Sequence, residues 1–192
     1  MVGLSALLLV INVATLAPAA RRQAPTVPPS HAPAVTMGAQ GSAPAPSGLV
    51  FRLPAGWIGE KPSSKMRLAQ ASIPGAAGPA QFGVFYFGPG GGGTPEANIE
   101  RWVEQIDKPA APPHRESFSS HGLKVTWVEV AGTMKATTVG MGPATAQSGY
   151  RLLGAVVEGT NGPWYVKVTG PDATVAAARG AFLDLLHNLQ AP

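Results

Sequence analysis

The chain has 192 residues, no cysteine, 24 glycines and 20 prolines, with 14 Lys and Arg against 10 Asp and Glu. The length accommodates one domain plus extensions, and the lack of cysteine excludes a disulfide framework, a thiol nucleophile and a thiolate metal site. The formal charge of +4 includes Arg21 and Arg22 of a flanking segment, and no basic run accompanies it, which argues against nucleic acid as a partner.

Residues 4–16 form an apolar run broken by Ser5, Asn12 and Thr15, followed by the small residues Ala17-Pro18-Ala19. The run is too short for a comfortable membrane span and ends near a signal-like cleavage pattern. No Lys or Arg precedes it, while Arg21 and Arg22 follow, the reverse of the positive-inside arrangement. Residues 1–20 therefore read as a signal peptide or an uncleaved N-terminal anchor. The protein is expected to be exported, periplasmic or extracellular, touching a membrane only through that segment if it is retained. Residues 21–48 are Ala/Pro/Ser/Gly-rich without hydrophobic periodicity. Such a composition buries too little apolar surface to offset ordering entropy, so a disordered linker is expected.

The folded domain is expected over residues 49–190. Leu49, Phe51 and Leu53 alternate with Val50 and Arg52 as a short strand ended by Pro54-Ala55-Gly56-Trp57. Of the four tryptophans, all read as core, and Trp57 is the one expected nearest the surface. A second strand covers 66–73 and a third 81–87. In the third, Phe82, Val84 and Tyr86 occupy one face and Phe85 and Phe87 the other, the pattern of a central strand covered on both sides.

A glycine run, Gly88-Pro89-Gly90-Gly91-Gly92-Gly93, then leads into a helix. Thr94 followed by Pro95 is a strong helix start, and Glu96 complements the positive end of the dipole. Around this helix Ile99, Trp102, Val103 and Ile106 form an apolar stripe, and Glu96, Glu100, Glu104 and Asp107 an acidic one. Asn98, Arg101 and Gln105 fill the sector between them, along the margin of the core. Two readings of that polar sector stay open: it satisfies neighbouring loop backbone, or it faces a cleft and holds a ligand. The glycine run is not a phosphate loop, because Thr-Pro-Glu stands where Lys and Ser/Thr are required.

After the helix, a loop carries His114 and His121. Residues 123–130 form a strand apolar on both faces. Residues 131–149, with Met134 and Met141, read as a hidden hairpin or a functional flap. Strands over 150–158 and 164–169 are joined across Asn161-Gly162-Pro163 as a hairpin. The last helix opens at Gly170-Pro171-Asp172 and turns Val175, Ala178, Phe182, Leu185, Leu186 and Leu189 inward. The expected order is βββαβββα: an α+β domain with a mostly antiparallel sheet of about six strands and two main helices.

Asn98-x-x-Arg101-Trp102-x-x-Gln105, preceded by an aromatic strand and Gly-Gly, resembles a motif of a family of uncharacterised exported bacterial proteins. Gly56-Trp57 and the segment from Ser63 to Gln70 are similar to that family too; the resemblance spans most of 49–190 and implies no activity. More loosely, the opening Leu53-Pro54-x-Gly56-Trp57 and the strand order resemble the PsbP-like fold, whose members are generally non-enzymatic.

A Ser/His/Asp triad lacks a nucleophile elbow near any histidine. His114, Glu116 and His121 could approach a metal, but without helical spacing. His187 suits the negative end of the last helix. The expected function is a non-catalytic binding or assembly module of the cell envelope, without metal or cofactor, recognising an unidentified protein or small ligand. Its candidate face comprises Gly91, Gly92, Gly93, Asn98, Arg101, Gln105, Met134 and Met141, where glycine and methionine allow adaptation to a partner. The alternative is a small hydrolase or transferase using Glu129, Glu158 or His121 in a cleft.

Overall fold

The computed structural model describes residues 48–137 and 141–191, all within one compact unit. The expected signal or anchor and, but for Gly48, the linker lie outside the described residues. No helix among the described residues is long and apolar enough to cross a membrane.

The elements are β1 (Ile58–Glu60), β2 (Arg67–Ile73), β3 (Ala80–Tyr86), α1 (Pro95–Val103), β4 (Ile106–Asp107), β5 (His114–Ser120), β6 (Leu123–Met134), β7 (Gln147–Glu158), β8 (Trp164–Pro171) and α2 (Asp172–His187). The strands form a single sheet in the order β1-β2-β3-β8-β7-β6-β4, with β5 also paired to β6. Every pairing is antiparallel.

The period-two pattern divides this sheet into two buried faces. On one, Phe82, Trp127, Leu153, Ala155, Val166 and Val168 pack with Val175, Phe182 and Leu186 of α2. On the other, Val128, Val130, Leu152, Val156 and Tyr165 pack with Ile99 and Trp102 of α1. The inward stripe expected for α2 is buried throughout. Gly180 in that helix has open space where a side chain would stand, so no close backbone approach explains it.

Five expectations require correction. The sheet has eight strands, not about six. β1 and β4 span only three and two residues. β5, expected as a loop, is an edge strand whose only apolar residue is Phe118, so no core-facing alternation marks it. Residues 49–53 do not form a strand: Val50 makes one isolated bridge to Gln190, while Leu49 is buried under α2. Trp57 is buried rather than near the surface, its ring edge-on to Phe82 with centroids 5.1 Å apart. Finally, α1 stops at Val103; Ile106 is buried as its apolar character requires, but as part of β4 against Met134.

Of the two readings of 131–149, the hairpin describes both arms. β6 continues to Met134, which pairs with Gln147 at the start of β7.

Candidate functional site

The site is built from the glycine loop, α1 and the face of β3 and β8 beneath them. Thr94 caps α1 as its chemistry predicts, its hydroxyl accepting from the Ala97 amide at 3.2 Å. Asn98, only 2 % exposed, donates its amide to the carbonyls of Gly92 (2.8 Å) and Thr94 (2.9 Å). From the sheet, the Tyr165 hydroxyl donates to the carbonyls of Gly91 (2.8 Å) and Gly93 (3.1 Å). Gly92 has φ +86, and a β-carbon there would collide with the Tyr165 hydroxyl. Glycine is thus required for both conformation and space. Burial pushes the Tyr165 phenol above its ordinary pKa, while the Arg101 charge acts the other way. Asn98 and Tyr165 together hold the loop through its carbonyls.

The residue that sequence reasoning missed is Lys167. On β8, Trp164, Val166 and Val168 face α2, so Tyr165, Lys167 and Thr169 face α1. Lys167 pairs with Gly83 of β3 on one side and Gly154 of β7 on the other. Neither neighbour carries a side chain, and larger groups move in instead. The Trp102 ring occupies the space a β-carbon at Gly154 would need, and Met141 Sδ would lie 2.8 Å from one at Gly83. These groups roof the lysine, which is 5 % exposed.

Its ammonium nitrogen donates to Gln105 Oε1 at 2.6 Å and to the Met141 carbonyl at 3.3 Å. Gln105 reaches it because α1 has ended: the Gln105 carbonyl accepts instead from the Lys135 amide at 2.8 Å. Both acceptors are neutral. Burial lowers the Lys167 pKa from 10.5 to about 7, and the charges of Arg101 and Arg67 push the same way.

Lys167, Gln105, Asn98, Arg101, Trp102, Met141, Tyr165, Phe85 and Phe87 enclose a cavity of about 140 Å³. Its walls are aromatic and its polar groups are cationic or neutral. All ten side-chain carboxylates of the chain fall within the described residues, and none lines this cavity. Glu104, next to Gln105 in sequence, borders a second depression of about 250 Å³ that Arg101, Gln105, Met134 and Lys135 also line. Arg101 is exposed and donates to Asn98 Oδ1. Arg67 lies over the Phe85 ring, 5.4 Å from its centroid, and donates to Gln70 Oε1 at 2.7 Å.

Among the residues singled out from the sequence, Asn98, Arg101, Gln105 and Met141 line the cavity together. Gly91, Gly92 and Gly93 do not line it; their carbonyls accept from Tyr165 and Asn98, which do. Met134 is 1 % exposed in the core beneath α1 and does not line it.

The groups named for acid/base chemistry lie elsewhere. Glu129 is held by Arg151 and Arg179 on the α2 face. Glu158 pairs with Lys124 at 3.2 Å. His121 is exposed in the β5–β6 turn, 3.0 Å from the Ser120 hydroxyl. His187 stacks on Phe118, with ring centroids 4.0 Å apart. His114 and Glu116 form a solvent-exposed pair at 3.5 Å. A depression of about 780 Å³ between residues 50–55 and the C-terminal end of α2 is larger than the cavity, but its charged side chains, Arg52 and Asp184, are exposed.

The site is thus a small, largely aromatic cavity with a buried amine on one wall of an α+β domain. No family model and no curated protein sequence matches this chain.

Proposed function

We propose that the chain is an exported, non-catalytic binding module of the cell envelope, and that its loop-and-helix site takes a small organic anion. The observation that carries this reading is Lys167: a buried amine, flanked by two arginine charges, with no side-chain carboxylate to compensate it. An isolated buried charge is expensive unless something pairs with it. A ligand carboxylate would supply the missing charge and raise the lysine's proton affinity. The cavity of about 140 Å³ is close to the ~150 Å³ engineered cavity that accommodates benzene, which sets the ligand at roughly six non-hydrogen atoms. Phe85, Phe87 and Trp102 would receive its apolar part.

The apolar run and small-residue pattern of residues 4–19 support export. The Gly-Trp opening, the Asn-x-x-Arg-Trp-x-x-Gln motif and two helices on an antiparallel sheet support kinship with the exported bacterial family and, at the level of fold, with PsbP-like proteins.

The test is calorimetric titration of the full chain with acetate, propionate, lactate and pyruvate, each against its neutral amide. Carboxylates are expected to bind at least about tenfold more tightly than the amides, since one lost charge-assisted hydrogen bond is worth about 1.5–3 kcal/mol. Arg101→Gln is expected to weaken the carboxylates alone. Equal affinity for acids and amides, or no binding by any acid, would reject the reading.

A further inference from the structure

Lys167 offers more than a positive charge. A neutral amine has two N–H bonds and one lone pair. Here two neighbours accept N–H bonds, Gln105 Oε1 and the Met141 carbonyl, and no donor among the described residues claims the lone pair. The nitrogen also borders the cavity. Lysine becomes a nucleophile when it is desolvated in an apolar pocket or placed beside another cation, and both conditions hold here.

Resting on the anion-binding reading above, we propose that the ligand is a small 2-oxo acid, held by Lys167 as a reversible imine with its carboxylate facing Arg101. The atoms balance as follows. The Lys167 nitrogen adds to the ketone or aldehyde carbon, and the carbonyl oxygen leaves as water, carrying away the two amine protons. A C=N bond replaces the C=O bond, and a solvent proton then converts the imine to an iminium. Its single N–H donates to Gln105 Oε1, and the Met141 carbonyl is released. No oxidant or reductant is needed. The carboxylate adjacent to the carbonyl carbon compensates the iminium and the Arg101 charge together. Glyoxylate and pyruvate, with five and six non-hydrogen atoms, match the size limit of roughly six set by the cavity.

The proposal requires the carbonyl and the carboxylate on one molecule. Arg101, Lys167 and Gln105 line the same cavity of about 140 Å³, so one small molecule reaches all three. It also requires selectivity over exposed lysines. Lys61, Lys65 and Lys108 stand in solvent, whereas Lys167 is buried and borders the cavity.

The experiment is reductive trapping on the full chain at pH 7. Pyruvate or glyoxylate is added with sodium cyanoborohydride, and the modified lysines are mapped by peptide mass spectrometry. The expected result is an adduct at Lys167 forming at least about tenfold faster than at Lys61, Lys65 or Lys108, because desolvation and a neighbouring cation make a lysine nucleophilic. Lactate, which has the carboxylate but no carbonyl, should slow trapping by competition. Acetone, which has the carbonyl but no carboxylate, should trap poorly. Arg101→Gln should reduce the rate at Lys167 and leave the exposed lysines unchanged.

An adduct spread evenly over the lysines would overturn the imine. So would calorimetric binding of pyruvate and lactate with equal affinity and no adduct at Lys167; the anion site would then stand and only its covalent step would fall. Absence of both binding and trapping would reject the two readings together. The mapping is done on the unmodified protein, so no outcome depends on whether a Lys167 variant folds.

Discussion

The two faces of the sheet bury charge in opposite ways. Under α2, Glu129 sits in an ion-pair network: Arg151 and Arg179 both donate to it, and Arg151 also donates to Asp172 at 2.7 Å. Arg179 further covers the Trp127 ring, 5.2 Å from its centroid. Under α1, Lys167 is more deeply buried and meets only a neutral amide and a backbone carbonyl. The first face balances its charges internally and reads as structure. The second leaves one amine with neutral acceptors only, the contrast on which the proposed anion site rests.

Removing a partner on the balanced face should have the largest effect. Glu129→Ala leaves Arg151 and Arg179 facing each other without their shared carboxylate. Breaking a buried pair costs about 3–5 kcal/mol, and the partial exposure of both arginines places this case at the lower end, about 3 kcal/mol. Urea denaturation measures it. A change below half of that would erase the contrast between the faces.

The opposite sign is expected on the other face. Lys167→Met replaces a buried amine with an apolar side chain of similar length; replacing even a paired buried charge by apolar groups can gain about 1–4 kcal/mol. It should stabilise the protein at pH 7 while abolishing carboxylate binding. The pH dependence follows from the same residue. Unfolded, Lys167 keeps its ordinary pKa of 10.5; folded, it releases its proton near 7. Between those values the unfolded chain binds more protons, so stability rises with pH; it is lowest, by the full penalty, below pH 7. From pH 7 to 9 the gain is about 2 kcal/mol at roughly 1.4 kcal/mol per unit. The difference between wild type and Lys167→Met should show that slope. A destabilised variant with an unchanged pH profile would make Lys167 an ordinary structural residue.

The smallest effect concerns the glycine loop. Tyr165→Phe removes the hydroxyl shared by the Gly91 and Gly93 carbonyls and should cost about 1 kcal/mol, the net value of a hydrogen bond. Because those carbonyls then turn to solvent, amide exchange across the glycine loop should accelerate while the α2 face is unaffected. Uniform acceleration through both faces would mean that the loop is not a separate unit.

Much of this architecture is legible in the residues. Two-sided apolar strands at 82–87 and 123–130 announced a sheet covered on both faces, and Thr94-Pro95 located the start of α1. The glycine-hairpin chemistry around residue 162 placed the β7–β8 turn. Edge elements were not legible, because β5 faces solvent and carries no core signal, while β1 and β4 are shorter than any period can reveal. Asn98, Arg101, Gln105 and Met141 were picked out as a possible face, and all four line the cavity. Lys167 was not. In Tyr165-Val166-Lys167-Val168-Thr169, a lysine between valines reads as the solvent side of a half-buried strand.

Local pattern thus determined the two helices and the central strands, most of the side chains that turn inward, and that no cysteine chemistry is available. Periodicity and capping act over a few residues, and a sequence displays them directly. Tertiary structure alone decided the fate of Lys167. Its burial depends on strand register, which sets it between Gly83 and Gly154, and on α1 ending early enough for Gln105 to reach it. Those partners lie 13 to 84 positions away along the chain, and a charge's environment is the sum of what folding brings beside it, not of what precedes and follows it.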